Sequence, residues 1–445
     1  MCDACRVTNV IVILADTVRR DELGINGGAT HTPNLDALGR ESTRFDRAHA
    51  ASFPTVPARA DYFTGRYSFP ATGWGPLPRE ASTIAELLTA AGVTTAAVVD
   101  TPFYMSTGFN LDRGFVHFYD VPGQQPRAYR RSPLIPTPRV TELDHCAPRT
   151  ITTAEQCLEQ LRSRAPFLLW VDTWDPHEPW DPPPWYVERY KPDYDGRVVW
   201  PPYRRAADAG LTDDDLATAV ACYRGKLTMV DRWIGRLLDR VDTLNLADDT
   251  VVVFLSDHGF YLGERGGLLG KLIRHVDASG TARWRRSPLY HEIVEVPLWL
   301  RLPEREERID PRLVSAVDVA PTILELFGVE VPASFHGRSL LGRAAVRDVA
   351  LTALPLAEPG TPSRVVDDVF RVIDEWQPVT VTTDRWRLLF SRREDPVELY
   401  DLASDRGETE NVAEESPDVV RQLHELMVGE LRHAGTSDAD LTPRQ

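Results

Sequence analysis

Phe254-Leu255-Ser256-Asp257-His258-Gly259 closes an apolar run that begins at Val251, and Asn9-Val10-Ile11-Val12-Ile13-Leu14 passes into Ala15-Asp16-Thr17 in the same way. Each run has the length of a strand and lacks polar alternation, which is the pattern of a strand covered on both faces. Each is followed at once by a residue that can bind a hard cation. In an open parallel sheet, residues just past the strand C-termini converge on one crevice, so Asp16, Asp257 and His258 can meet despite their separation in sequence. Two carboxylates and an imidazole suit a divalent cation. Alone, Asp16 could be a turn residue and His258 a hydrogen-bonded interior histidine.

The surrounding chain repeats the theme of buried strand and amphipathic helix. Residues 93–99, 167–171 and 296–300 read as further strands. Thr83 and Glu86 form a capping box ahead of an apolar stripe at Ile84, Leu87 and Leu88, and Gly92 ends that helix. Long helical patterns cover residues 213–240 and 314–327, the second stopped by Gly328. The expected fold is therefore α/β, a large mostly parallel sheet flanked by helices, spanning residues 1–350. From residue 351 the pattern changes to short strands, at 379–383 and 386–390, and a helix at 417–432. This predicts a smaller C-terminal α+β subdomain, residues 351–445, with a small antiparallel sheet and a terminal helix.

Three insertions interrupt the pattern. Residues 121–149 are rich in proline and arginine. Residues 174–203 carry Trp174, Trp180, Trp185 and Trp200 among prolines, and read as a lid. Between Lys271 and Tyr290, the run Arg274, His275, Arg283, Trp284, Arg285, Arg286 is basic in an otherwise acidic protein and is a candidate contact for an anionic substrate. Trp174, Arg283, Arg285 and His291 are the candidate substrate-binding residues of these regions.

The net charge of −16 argues against a general partner in nucleic acid or an anionic membrane, so an anion site must be built locally. The first apolar run is too short to span a membrane, and no signal-peptide cleavage pattern precedes it. Five cysteines, Cys2, Cys5, Cys146, Cys157 and Cys222, form no regular framework. A cytoplasmic protein is expected, with a small anionic molecule as its partner; a homo-oligomer is compatible with the sequence.

Ser52-Phe53-Pro54-Thr55-Val56-Pro57-Ala58-Arg59 supplies a nucleophile. Pro57 suits a first helical turn, which places Thr55 at or near an N-cap, where free amides and the helix dipole favour an anion. Arg59 lies one turn on, toward the same face. A cation beside the Thr55 oxygen would lower its pKa, as a weak hydroxyl nucleophile requires. Arg59, Lys271 and His177 would neutralise the oxygens of the transferred group.

These segments together resemble the sulfatase branch of the alkaline phosphatase superfamily. Asn9 to Asp21 resembles the family's first strand and metal loop. Thr55 to Arg59 with Thr64-Gly65-Arg66 resembles its C-x-P-S-R…T-G-R signature, and Gly108-Phe109-Asn110-Leu111-Asp112-Arg113-Gly114-Phe115 its G-F-D-x-G-F stretch. Asp175-Pro176-His177-Glu178-Pro179-Trp180 is similar to the D-P-H-x-P-Y loop, whose histidine contacts substrate. Ser256-Asp257-His258-Gly259 with Gly263-Glu264 resembles the S-D-H-G…G-E metal segment, and Gly270-Lys271 the G-K whose lysine binds the transferred group. Val317 to Thr322 and Glu398 to Leu402 match later structural signatures.

Two departures bear on function. Sulfatases of this kind oxidise Cys or Ser at the position of Thr55 to formylglycine, and oxidation of threonine would give a ketone instead. Moving the register to Ser52 puts Val56 where arginine belongs. No formylglycine is expected. Threonine nucleophiles occur elsewhere in the superfamily, which implies a phosphothreonine-type intermediate. Thr17 stands where many sulfatases have a second aspartate, leaving Asp16, Asp257, His258 and the Thr55 oxygen around one divalent ion, Mn²⁺ or Ca²⁺ ahead of Zn²⁺. This set resembles that of the phosphonate monoester and phosphodiester hydrolases. The expectation is a metal-dependent hydrolase of phosphate or phosphonate esters, with Thr55 as nucleophile and His177 as proton donor to the leaving oxygen. The alternatives are a sulfate-ester hydrolase, a transferase to an acceptor other than water, and a catalytically silent binding protein. A second metal held by Asp172 or Asp175 with His177 and His291 is a further alternative.

Overall fold

The uninterrupted apolar runs form the middle of an eight-stranded sheet. The structure is a computed structural model that describes residues 9–106, 108–123, 141–276, 282–286, 289–342, 347–356 and 377–445, those at 274–276 and 282–286 by their backbone. Across the sheet the strands run Arg308–Ser315, Thr43–His49, Leu298–Arg301, Thr250–Leu255, Asn9–Ala15, Phe167–Thr173, Thr94–Val99 and His117–Asp120. Leu298–Arg301 runs against its neighbours and the other strands run parallel. The α/β, mostly parallel expectation holds.

Register brings the site together. Asn9 pairs with both Phe167 and Thr250, Leu14 with both Asp172 and Leu255, and Ala15 with Thr173. The three central strands therefore end level, and Asp16, Asp172 and Asp257 emerge side by side. Because side chains alternate, Val10, Val12 and Leu14 join one core with Leu168, Trp170 and Val253. Ile11, Ile13 and Ala15 join the other with Leu169, Val171 and Phe254. Each fully buried aliphatic side chain contributes about 1.5–3 kcal/mol, so continuous apolar strands are the stable solution only between two layers of helices.

On the second face lie Pro33–Arg40, Cys146–Leu161 and the long helix Asp213–Thr243, which begins at a capping box formed by Thr212 and Asp215. Tyr223 of the long helix donates its hydroxyl to Thr17 O and accepts from Arg19 N, both at 2.9 Å, and so holds the turn after the first strand. On the first face lie Thr55–Thr64, Ile84–Ala90 and Val319–Leu326. The Thr83–Glu86 capping box is present as expected.

The sequence reading extended the helix after Arg308 too far. Residues 314 and 315 belong to the strand Arg308–Ser315, and the α-helix starts at Val319. Asp318 receives the Ser315 amide at 2.9 Å, making a polar box that ends the strand and begins a short 3-10 turn. Thr43–His49 and Arg308–Ser315 went unread as strands because charges interrupt them, and Pro311 sits at a register shift in the latter.

Ala350–Ala353, Val379–Thr382, Trp386–Phe390 and Glu398–Asp401 form a four-stranded antiparallel sheet, followed by the helix Pro417–His433. Its inner residues Leu351, Val381, Leu388 and Met427 belong to the first face's core. The first of these strands also grips the segment before Thr55. Ala353 N donates to Ala51 O and Phe53 N to Ala353 O, each at 2.9 Å, and the Thr352 hydroxyl donates to Ala50 O. No described helix is long and apolar enough to cross a membrane.

The far end of Thr55–Thr64 is fixed by Gly65, whose φ of +61° closes the helix and whose carbonyl accepts from the amides of His336 and Gly337. A β-carbon at residue 65 would lie 2.3 Å from the Phe335 ring. Gly65→Ala is expected to destabilise the protein by about 2–4 kcal/mol, from left-handed backbone strain and overpacking together. Urea denaturation that gave a loss under about 1 kcal/mol would contradict this account of the helix end.

Candidate active site

Asp16, Asp257 and His258 lie just past two adjacent strand ends, and one ligand atom from each falls within 4.8 Å of the others. All three are fully buried. Thr17, at φ +60°, turns the chain away after Asp16 and donates its amide to Asp257 Oδ1 at 3.1 Å. His258 Nδ1 is 2.8 Å from Gly259 O, which places the proton on Nδ1 and leaves Nε2 as a lone-pair donor. Gly259 is required here, since a β-carbon would sit 1.8 Å from Glu292 O.

The electrostatics fit a cation. Burial and the facing Asp257 raise the Asp16 pKa well above the usual carboxylate range. Burial acts in the same direction on Asp257, but His258 and Arg59 beside it prevail and hold it low. Burial, reinforced by Lys271, lowers His258 to about 3, so the ring is neutral at physiological pH. Asp16 Oδ1 and His258 Nε2 are buried with no hydrogen-bond partner. Unsatisfied buried polar atoms are rare in folded proteins. Two unpartnered donor atoms beside a repelling carboxylate pair suit a divalent ion, with oxygen ligands favouring a hard one.

Arg59 organises this crevice. Its Nε and one terminal nitrogen grip Asp172 at 2.9 and 2.7 Å, and the terminal nitrogens also reach Asp16 at 3.1 Å, Asp257 at 2.9 Å and Thr55 O at 3.2 Å. These five hydrogen bonds match the five N–H donors of a guanidinium. The expectation that Arg59 faces the transferred group is therefore corrected. Its donors are committed to protein oxygens, and it acts as a buried positioning cation for three carboxylates and the turn that carries Thr55.

Thr55 is the first residue of Thr55–Thr64 and 2% exposed; the N-cap is Pro54, with no side-chain cap at this end. The threonine is thus one position inside the helix rather than its capping residue. Phe53 packs edge-on against the His258 ring, centroids 4.8 Å apart, which seats the segment beside the candidate ligands. Ser52 is excluded as the nucleophile by its bonding. Its hydroxyl donates to Asp61 Oδ1 at 2.9 Å and accepts from the amides of Ser68 and Phe69 at 3.1 and 3.0 Å.

His177 and Lys271 meet as expected, with Nε2 and Nζ 2.7 Å apart and both residues buried. His177 Nδ1 lies 2.9 Å from Glu178 O and 2.9 Å from Glu178 Oε2, the carbonyl having the hydrogen-bond geometry. Burial and Lys271 lower the His177 pKa against the opposing pull of Glu178. Lys271 also acts on Asp16, Asp257 and His258, so the pair shares the crevice with the candidate metal ligands. Trp174 packs at a tilt against His177 with centroids 3.9 Å apart and gives its indole N–H to Glu178 O at 3.3 Å. It is 5% exposed and braces the histidine. Trp180 is fully buried, while Trp185 and Trp200 are exposed, so the tryptophan-rich insertion is only partly a surface feature.

The second-metal alternative is not assembled. Asp172 is held by Arg59, Asp175 by Lys226 and the Ala147 amide, and His177 by Lys271. His291 sits instead with Glu292 and Glu408, where Arg265 lies 3.2 Å from its Nδ1 and 3.0 Å from Glu292. That network joins the Gly263-Glu264 loop to the C-terminal residues. The side chains of Arg283 and Arg285 lie outside the described residues; the backbone there forms a hairpin, Ile273–Val276 with Ala282–Arg286.

Sequence reasoning missed Lys226 and Tyr203. Lys226 Nζ reaches Asp175 at 2.8 Å, His177 O at 3.0 Å and Pro179 O at 2.7 Å, and so fixes the histidine loop. A lysine between apolar neighbours on a helix was its signal. Tyr203 donates its hydroxyl to Glu178, and nothing in its local sequence distinguishes it.

Comparison with known proteins agrees with this geometry. The family model described as Sulfatase matches residues 8–329. An uncharacterised sulfatase of Escherichia coli K12, YidJ, is 27% identical over 89% of this chain and 83% of its own length. An N-acetylglucosamine-6-O-sulfatase of Bacteroides thetaiotaomicron is 23% identical over 75% of this chain and 70% of its own. Among solved structures, a phosphonate monoester hydrolase of Agrobacterium radiobacter superposes with a TM-score of 0.73 at 22% identity, covering 96% of this chain and 95% of that one. With a family match over most of its length and the family's crevice built at its strand ends, the chain belongs to the sulfatase family and is a hydrolase of the alkaline phosphatase superfamily.

Proposed function

We propose that this sulfatase-family hydrolase cleaves phosphate or phosphonate esters with Thr55 as nucleophile. The observation that carries the reading is the joint anchoring of Thr55 and the candidate metal ligands by Arg59, at a position where threonine replaces the formylglycine precursor. Asp16, Asp257 and His258, with the Thr55 oxygen, would hold one divalent ion. That ion supplies Lewis-acid stabilisation of negative charge at the nucleophilic oxygen.

The Thr55 oxygen forms a bond to phosphorus as the bond to the leaving oxygen breaks, and the hydroxyl proton passes to water. Lys271 and His177 face the oxygens of the transferred group and protonate the leaving oxygen between them. Water then cleaves the phosphothreonine; one of its protons returns to Thr55 and the other restores the Lys271–His177 pair. The positive end of the helix Thr55–Thr64 favours the anionic group throughout. The substrate is a small anionic ester. The described cysteines Cys146, Cys157 and Cys222 form no disulfide, which suits a reducing, cytoplasmic setting.

Metal-reconstituted protein is expected to turn over bis-p-nitrophenyl phosphate or an aryl phosphonate ester, and Thr55→Ala to lose at least about 10³-fold in kcat. Acid-quenched protein should carry phosphate on Thr55 by mass spectrometry; exclusive turnover of aryl sulfate would overturn the reading. His258→Ala is expected to reduce bound metal, measured by plasma mass spectrometry, by about tenfold or more while the protein stays folded. Arg59→Ala strands three buried carboxylates and should cost about 3–5 kcal/mol in chemical denaturation. A loss below about 1 kcal/mol would show that Arg59 does not organise them.

A further inference from the structure

Four side chains, the proton-donating pair among them, form a continuous chain. Lys271 Nζ approaches His177 Nε2 at 2.7 Å, His177 Nδ1 lies 2.9 Å from Glu178 Oε2, and the Tyr203 hydroxyl donates to Glu178 Oε1. The backbone completes the circuit, since Tyr203 N donates to Leu269 O at 3.0 Å, two residues before Lys271. Arg204–Arg205 then pairs with Leu268–Gly270 in a small antiparallel sheet. Gly270, at φ +150°, permits this approach, because a β-carbon there would lie 2.7 Å from Tyr203 Cα. The sequence around Glu178 marks it only as the variable residue of the histidine loop.

A buried carboxylate is costly unless it is paired and hydrogen-bonded. Glu178 is 8% exposed, yet His177, Lys271 and the Tyr203 hydroxyl around it together hold its pKa down at about 2 against burial. The Glu178 carbonyl alone suffices to fix the His177 tautomer, so the carboxylate adds a negative charge against the ring. That charge has no function while the imidazole is neutral. It stabilises the ring when His177 carries a second proton.

We propose that Glu178, clamped by Tyr203, is a positioning residue that stabilises the imidazolium form of His177, allowing the Lys271–His177 pair to deliver its proton to a basic leaving oxygen. This inference rests on the reading of Lys271 and His177 as the groups that face that oxygen. The proton moves from Lys271 Nζ to His177 Nε2 and from there to the leaving oxygen as its bond to phosphorus breaks, leaving a neutral amine and a neutral imidazole. A good leaving group departs without this proton; a poor one does not. Glu178 therefore governs which esters are turned over.

The test compares two phosphodiesters, one releasing p-nitrophenol and one releasing phenol, in the metal-loaded wild type, Glu178→Gln, Tyr203→Phe and His177→Ala. Glu178→Gln is expected to lower kcat for the phenyl ester by about 10–100-fold and for the p-nitrophenyl ester by less than about threefold. Tyr203→Phe should act in the same direction with a smaller effect. Equal losses on both esters, or none on either, would overturn the proposal. Losses in His177→Ala that Glu178→Gln does not reproduce would overturn it while leaving the reading of the pair intact; an inert His177→Ala would overturn both. In the absence of substrate, the Nδ1–H resonance of ¹⁵N-labelled His177 should move upfield in Glu178→Gln, and an unchanged resonance would overturn the proposal by itself.

Discussion

A single buried guanidinium sets the geometry of this protein's crevice. Arg59 is fully enclosed and bonds to carboxylates from three different strand ends. Burying three negative charges together is strongly unfavourable unless countercharge and hydrogen bonds accompany them. Arg59 supplies both, and its planar fork fixes the carboxylates in angle as well as distance. The strands could end level without it, but their carboxylates would then be buried without the countercharge and hydrogen bonds that Arg59 provides. Because Arg59 sits one turn after Thr55, the same contacts also set the position of the helix that carries the hydroxyl.

The balance of charge in the crevice follows from that arrangement. Asp172 is satisfied by Arg59, with a weaker contact from the Trp170 indole. Both oxygens of Asp257 accept hydrogen bonds, from the Thr17 and His258 amides and from Arg59, whereas Asp16 Oδ1 and His258 Nε2 have no hydrogen-bond partner. The protein thus saturates Asp172 and Asp257 with hydrogen bonds and leaves one Asp16 oxygen and one His258 nitrogen open beside them. Lys271 supplies a second positive charge, held in place by a histidine that Trp174, Glu178 and Lys226 all constrain. Each of these supports is itself buried, so the pair is preorganised rather than assembled on binding.

Much of this was legible in the sequence, for identifiable reasons. The central strands were readable because burial on both faces imposes uninterrupted apolar runs, and the ligands because each directly follows such a run. Strands at the sheet's periphery, such as Thr43–His49 and His117–Asp120, carry charges and partly exposed residues and give no comparable signal. Among the candidate site residues, Thr55, His177, Lys271, Asp16, Asp257 and His258 are singled out by local motifs. The partners of Arg59 were not, because whether an arginine faces substrate or carboxylates depends on contacts between residues as far apart as Arg59 and Asp257, which no local pattern encodes. Lys226 and Tyr203 were missed for the same reason: each acts through a tertiary contact.

The grip of Ala350–Ala353 on the segment before Thr55 carries a consequence for the order in which the protein becomes complete. Thr352 and Ala50, which it joins, are 302 residues apart. A nascent chain that has already placed its central strands still lacks the edge that holds residues 50–53 in line. Thr55 is therefore seated only near the end of synthesis, and a ribosome-bound or prematurely terminated chain would carry a folded sheet with an unfinished crevice.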